Sequence, residues 1–188
     1  MASVVPERRH RLTYNEYLLM GERGILAPDA RVELIDGEII DMAPINSPHS
    51  GTVIRLNQML TRALRDFALV SVQNPLIVGQ YSVPQPDIAV LRPREDFYTK
   101  THPRPEDVLL VIEVADSSTT YDRNVKAPIY AQAGIGEYWL VDLEAKSVQV
   151  FRDPQQGTYK TVLAMQGPGT ITPILLPEFV LRVASLFH

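Results

Sequence analysis

The chain contains no cysteine among its 188 residues. That absence excludes a disulfide framework, a thiolate zinc centre and a cysteine nucleophile. Histidine is also scarce. The four residues His10, His49, His102 and His188 are scattered, and none forms a pair at helical ligand spacing, so the pattern argues against a histidine zinc site. Long hydrophobic runs are missing too. The longest uncharged stretch, residues 67–86, carries Gln73, Asn74, Gln80, Gln85 and three prolines, which is incompatible with a membrane-spanning helix. The opening MASVVPERRHR lacks the apolar core of a signal peptide, from which a cytoplasmic location is expected. Nor is there a basic excess. Eighteen basic residues against 22 acidic ones give a net charge of −4, which speaks against a protein that coats nucleic acid through clustered Lys and Arg. A small cleft that holds one phosphate remains compatible with this charge.

What is present reads as one α/β domain of ordinary globular composition, 45% hydrophobic and 21% charged. Residues 1–11 read as a loose arm with a basic cluster at Arg8, Arg9, His10 and Arg11. Thr13 and Glu16 have capping-box spacing and open a short helix. Residues 32–42 place Asp36-Gly37 between two apolar runs, which predicts a hairpin. Ser50 is expected to cap a second helix over residues 51–67. Its apolar face would carry Val53, Leu56, Leu60, Ala63, Leu64 and Phe67. Strands are expected at 69–73, 76–83 and 87–91, followed by a charged, proline-rich loop over 92–107. Residues 108–115 (VLLVIEVA) read as a strand covered on both faces. A helix over 121–133, strands at 137–143, 147–152 and 158–165, and a last helical turn complete the pattern. The expected architecture is a central mixed sheet flanked by helices.

Glu113 interrupts the apolar run of 108–115. A buried carboxylate there must be neutralised, hydrogen-bonded or bound to a cation, unless it lies at an exposed strand end or pairs with a structural arginine. Asp87 follows Pro86 and precedes another apolar run. Alone this marks a turn or strand entry, but with Glu113 it makes a two-carboxylate cation site of the kind Mg²⁺ uses together with a substrate phosphate. Asp122, Lys126 and Tyr130, spaced i, i+4, i+8, fall along one helix face. They form either an intrahelical ion pair beside a packed tyrosine or part of the site. Pro128 in that helix should free the carbonyl of Asn124. His49, ahead of the second helix, is either a phosphate contact or simply a residue at the helix start.

These segments together resemble the PD-(D/E)XK nuclease superfamily, the restriction endonuclease-like fold. More closely, they resemble a large bacterial family of restriction endonuclease homologues that are mostly uncharacterised. The resemblance runs from about Leu12 to Phe187. It rests on Thr13-Tyr14-Asn15-Glu16-Tyr17, residues 33–38, Ser47-Pro48-His49, Gln85-Pro86-Asp87-Ile88, the set Asp122, Lys126 and Tyr130, and residues 137–142. It implies that Asp87 and Glu113 hold Mg²⁺ (or Mn²⁺), with the carbonyl of Val114 as a third ligand, and that Glu33 assists. The lysine that the superfamily usually carries two residues after the glutamate is replaced by Ala115, and Lys126 is the substitute. His49, Asp122 and Tyr130 would then serve substrate binding, and DNA would be the substrate. A catalytically silent homodimer that binds nucleic acid or protein on the same fold is the alternative reading.

Overall fold

A computed structural model of the chain describes residues 10–187, so most of the expected arm lies outside the described residues. Helix α1 (Tyr14–Glu22) starts at the capping box. Thr13 Oγ1 accepts from the Glu16 backbone N–H, and the Glu16 carboxylate accepts from the Thr13 N–H at 2.8 Å. Strands β1 (Val32–Ile35) and β2 (Glu38–Asp41) form the expected antiparallel hairpin. Asp36 and Gly37 turn the chain at φ 51° and 84°, the left-handed pair that a two-residue hairpin turn requires. Gly37 has a second reason to lack a side chain, because a Cβ there would lie 2.6 Å from the Cβ of Arg11. Arg11 itself is tied to the hairpin through the Asp36 carboxylate and carbonyl, and its guanidinium lies over the Tyr81 ring.

Helix α2 (Ser47–Leu64) begins earlier than the sequence suggests. Asn46, not Ser50, is the cap, and its side chain accepts from the His49 N–H at 3.0 Å. Pro48 sits in the first turn, where its missing N–H deprives the helix of nothing. The far end is shorter than expected. Arg65 reverses the chain at φ 44°, and a 3₁₀ turn (Arg65–Phe67) leaves Phe67 exposed rather than on the apolar face.

The main sheet has the order β3-β4-β5-β6-β7-β8. Its strands are β3 (Leu69–Val72), β4 (Ile88–Leu91), β5 (Val108–Ala115), β6 (Glu137–Asp142), β7 (Ser147–Gln155) and β8 (Thr158–Gln166). All neighbours are antiparallel except β5 and β6, which run parallel and are joined by a helical crossover. That crossover consists of α3 (Thr119–Tyr121), a π-helical stretch (Asp122–Lys126) and α4 (Ala127–Gln132). The Ala127 N–H reaches back five residues to the Asp122 carbonyl, so the helix widens in the turn before Pro128. Residues 76–83, expected as a strand, make only isolated bridges at Leu34–Val83 and Gly79–Ser82. The polar and proline residues around them leave no ladder to join.

Period-two alternation divides β5 between two cores. Leu110, Ile112 and Val114 pack with α2 and the C-terminal segment, whereas Val111 and Ala115 pack with Ala127 and Tyr130 of the crossover. The C-terminal segment pairs β9 (Thr170–Ile171) with β10 (Leu181–Arg182) and ends in a 3₁₀ turn (Val183–Leu186). Glu137 holds this segment in place. Its carboxylate accepts from the Trp139 indole at 2.7 Å, from Arg152 Nη2 at 2.7 Å and from the Ile174 N–H at 2.7 Å. Glu137 is 3% exposed, so removing its carboxylate leaves the Trp139 indole and the Ile174 N–H without their acceptor. It also takes the ion-pair partner from Arg152, which keeps the Thr172 carbonyl. Glu137→Ala should therefore lose about 3 kcal/mol or more of stability. Urea unfolding followed by the fluorescence of Trp139, the single tryptophan, measures it.

Candidate active site

Asp87 and Glu113 meet where the β4–β5 ladder ends. Ile88 pairs with Ile112, so Asp87 lies opposite Glu113 one residue further on, and opposite residues of an antiparallel pair face the same side. Side chains continue the hydrogen bonding there. The Asp87 N–H donates to Glu113 Oε2 at 3.1 Å, and the Val114 N–H donates to Asp87 Oδ2 at 2.8 Å. Both acids therefore stand on main-chain hydrogen bonds of the central sheet. Asp87 also accepts from Gln73 Nε2 at 3.0 Å, and His49 Nε2 lies 3.0 Å from its Oδ2. Gln73 closes β3 at φ 52° and its own N–H bonds to the Pro86 carbonyl. It was not identified from the sequence; the polar pair after an apolar strand was its only signal.

The crossover helix and the β1–β2 hairpin bring the remaining groups. Lys126 Nζ donates to Glu113 Oε1 at 3.1 Å and lies 3.3 Å from Glu33 Oε2 and 3.9 Å from Asp122 Oδ1. Glu33 alternates with Val32 and Leu34 on β1, so those two pack in a core with Tyr17. Its Oε2 accepts from the Gln85 N–H at 3.3 Å, while the Tyr17 hydroxyl donates to the Val32 carbonyl. Asp122 accepts from Ser118 Oγ at 2.5 Å. These side chains line a cleft of about 270 Å³, with Arg31 and Tyr121 among its walls. Tyr130 does not line it. Fully buried, it donates to Glu113 Oε1 at 2.8 Å and so orients that carboxylate instead of meeting a substrate.

The electrostatics follow from crowding. Glu33, Asp87, Glu113 and Asp122 are each less than a tenth exposed, and Lys126 is the lysine among them. Burial, reinforced by the charges of Asp122, Asp87 and Glu33, pushes Glu113 up to about 8 in spite of the neighbouring ammonium. Asp122 is raised for the same first cause. For Asp87, burial pulls upward, but hydrogen bonds from His49, Gln73 and Val114 outweigh it and hold the carboxyl below its usual range. His49 is raised, chiefly by its hydrogen bond to Asp87. For Lys126, burial disfavours the charge, but Glu113, Glu33 and Asp122 overcome it, so the amine is raised and stays an ammonium. It is an electrostatic group, not a proton acceptor at neutral pH.

A restriction endonuclease-like fold is defined by this architecture: a mixed sheet between helices, with two acids where the β4–β5 ladder ends and a lysine against one of them. The chain belongs to the Uma2 family, described as "Putative restriction endonuclease", whose pattern matches residues 14–184. Its fold is similar to a crystal structure described as a putative nuclease belonging to DUF820 from Anabaena variabilis ATCC 29413. The TM-score is 0.74 at 22% sequence identity, over 94% of this chain and 97% of that one. No curated protein matches the sequence. Among the described residues, no helix is long and apolar enough to cross a membrane.

The raised Glu113 carboxyl sets a pH dependence. Between about 4.5 and 8 the folded protein keeps a proton that the unfolded chain has released. Stability without added metal should therefore fall as pH rises through that window, by up to about 1.4 kcal/mol per pH unit from this one group. Raised Asp122 and His49 act in the same direction. Glu113→Gln keeps an acceptor for Tyr130 and Lys126 but turns an amide donor towards the Asp87 N–H, so it should flatten the slope and compare best with wild type at pH 8. Thermal melts across pH 5–9 in a chelator check it; a large loss at every pH would make Glu113 a structural partner of Lys126.

Proposed function

We propose that the protein is a metal-dependent endonuclease that hydrolyses DNA phosphodiester bonds in the cleft of Asp87, Glu113 and Lys126. The observation that supports this reading most is the place of the Lys126 ammonium, 3.1 Å from Glu113 and 3.3 Å from Glu33. An amine reaches Glu113 from the helix, although the strand position two residues after Glu113 is Ala115. That position is fully buried against Ala127 and Tyr130. A lysine on the strand would have to displace the crossover helix, whereas one on the helix reaches the same acid from outside.

The donor set suits a hard divalent cation such as Mg²⁺ or Mn²⁺. Four buried acids line one cleft with a single buried lysine, and a divalent ion would take the place of the proton that Glu113 keeps there. Among the described residues no three His, Cys, Asp or Glu side chains form a ready-made cage. That is compatible with an ion held by the two carboxylates of Asp87 and Glu113 and completed by water and substrate. When bound, such an ion makes water more acidic and offsets charge on the phosphate. The protein's own groups do the rest. Tyr130 and the Asp87 N–H fix the Glu113 carboxylate, while Gln73, His49 and the Val114 N–H fix Asp87. Lys126 keeps a positive charge beside the site for the negative charge that the pentacoordinate phosphoryl group carries during attack. Asp122 and Glu33 hold the ammonium in place.

Lys126→Met should reduce metal-dependent cleavage of plasmid DNA by at least about a hundredfold, while the overall secondary structure survives. Asp87→Asn should weaken Mn²⁺ binding measured by titration calorimetry. Full cleavage by the Lys126 variant would exclude the helix-borne amine, and undiminished Mn²⁺ affinity in the Asp87 variant would remove Asp87 from the metal site.

A further inference from the structure

Among the described residues, the buried side-chain polar atoms without a hydrogen-bond partner are Tyr121 Oη and His49 Nδ1. Both residues line the same cleft. Folded proteins leave few such atoms, because each unpaired buried polar group costs about 1–3 kcal/mol. Both residues belong to the cleft and not to the packed cores, which points to a ligand that pairs with them.

Most buried donors of the cleft are already engaged, and Ser117 and Arg31 lie exposed at its edge. Lys126 is shared among Glu113, Glu33 and Asp122, Ser118 Oγ serves Asp122, the Gln73 amide serves Asp87, and the Asn46 amide donates to Asp116. Arg31 sits exposed at the rim with one nitrogen on the Ala43 carbonyl. An anionic phosphate oxygen among four carboxylates needs a donor that is free and stays protonated. Tyr121 is such a donor. Burial first, then the charge of Glu33, raises its hydroxyl to about 12, so it keeps its proton throughout the neutral range. As a neutral group it also adds no competing charge to the acids.

We propose that the Tyr121 hydroxyl donates a hydrogen bond to a non-bridging oxygen of the substrate's phosphate ester. Tyr121 is then a substrate-binding residue of the cleft; this rests on the phosphodiesterase reading above for its substrate class. It precedes Asp122 and shares the crossover helix with Lys126, so one element supplies both the fixed ammonium and the free hydroxyl.

Tyr121→Phe keeps the ring and removes only the donor. Two probes are measured for wild type and variant: thymidine 5′-monophosphate by titration calorimetry with Mn²⁺, and cleavage of a DNA oligonucleotide resolved into kcat and KM. The expected result is about a tenfold loss of nucleotide affinity and a comparable rise in KM, with Mn²⁺ affinity unchanged and Tm equal to or above wild type. Equal affinity and equal KM in the two proteins would overturn the proposal while leaving the nuclease reading intact. A wild type that never cleaves DNA, yet binds the nucleotide through Tyr121, would refute the nuclease reading and uphold the phosphate contact. A wild type that binds neither probe overturns it as well. So does a variant that loses several degrees of Tm, since the hydroxyl would then have a structural partner.

Discussion

One ammonium group, Lys126 Nζ, lies within 4 Å of three buried carboxylates from three different parts of the chain. Glu33 comes from the N-terminal hairpin, Glu113 from the central strand and Asp122 from the crossover. Without a cation between them these acids would repel one another in a region that water does not screen. The lysine therefore joins the hairpin to the main sheet electrostatically, while the Leu34–Val83 bridge ties the hairpin to the segment before β4. The π-helical stretch belongs to the same constraint. It widens the helix between Asp122 and Lys126 and lets Pro128 follow without losing a hydrogen bond that an ordinary turn would need.

The second organising feature is the way β4 ends. The ladder stops at Ile88, and the Asp87 N–H and the Val114 N–H find carboxylates instead of carbonyls. Two polar main-chain groups that would otherwise be unpaired inside the protein are satisfied by the acids themselves. A change of either acid therefore perturbs both the site and the strand end, and activity losses at those positions need a fold readout beside them. Tyr121 lies on the helix instead, and its unpartnered hydroxyl lets a change in function be separated from a change in the sheet.

Much of the architecture was legible from local rules. The capping box at Thr13, the Asp36-Gly37 turn and the full extent of β5 follow from short-range spacing, because neighbouring residues alone decide those conformations. Helix α2 was misjudged at both ends for a tertiary reason. Asn46 caps it one turn before Ser50, and Arg65 ends it before Phe67 can reach the core, where the C-terminal segment already packs Phe179 against Trp139. Residues 76–83 have the apolar content of a strand but meet a strand edge only at the single Leu34–Val83 bridge to β1, which no local pattern reveals.

The candidate site divides along the same line. A carboxylate inside an apolar strand is chemically conspicuous wherever it occurs, so Glu113 stood out in sequence with Asp87 as its second acid, whereas Glu33 and the role of Lys126 followed from the resemblance. What each polar group touches depended on chain segments far apart in sequence. Tyr130 faces Glu113 and not the cleft, Gln73 braces Asp87 across the sheet, and Tyr121 is left with a free hydroxyl. The sequence by itself determined which side chains carry charge and which strands lie buried, since composition and period are local properties. Only the folded chain decided which donors are engaged and which remain open, because hydrogen-bond satisfaction is counted across the whole structure.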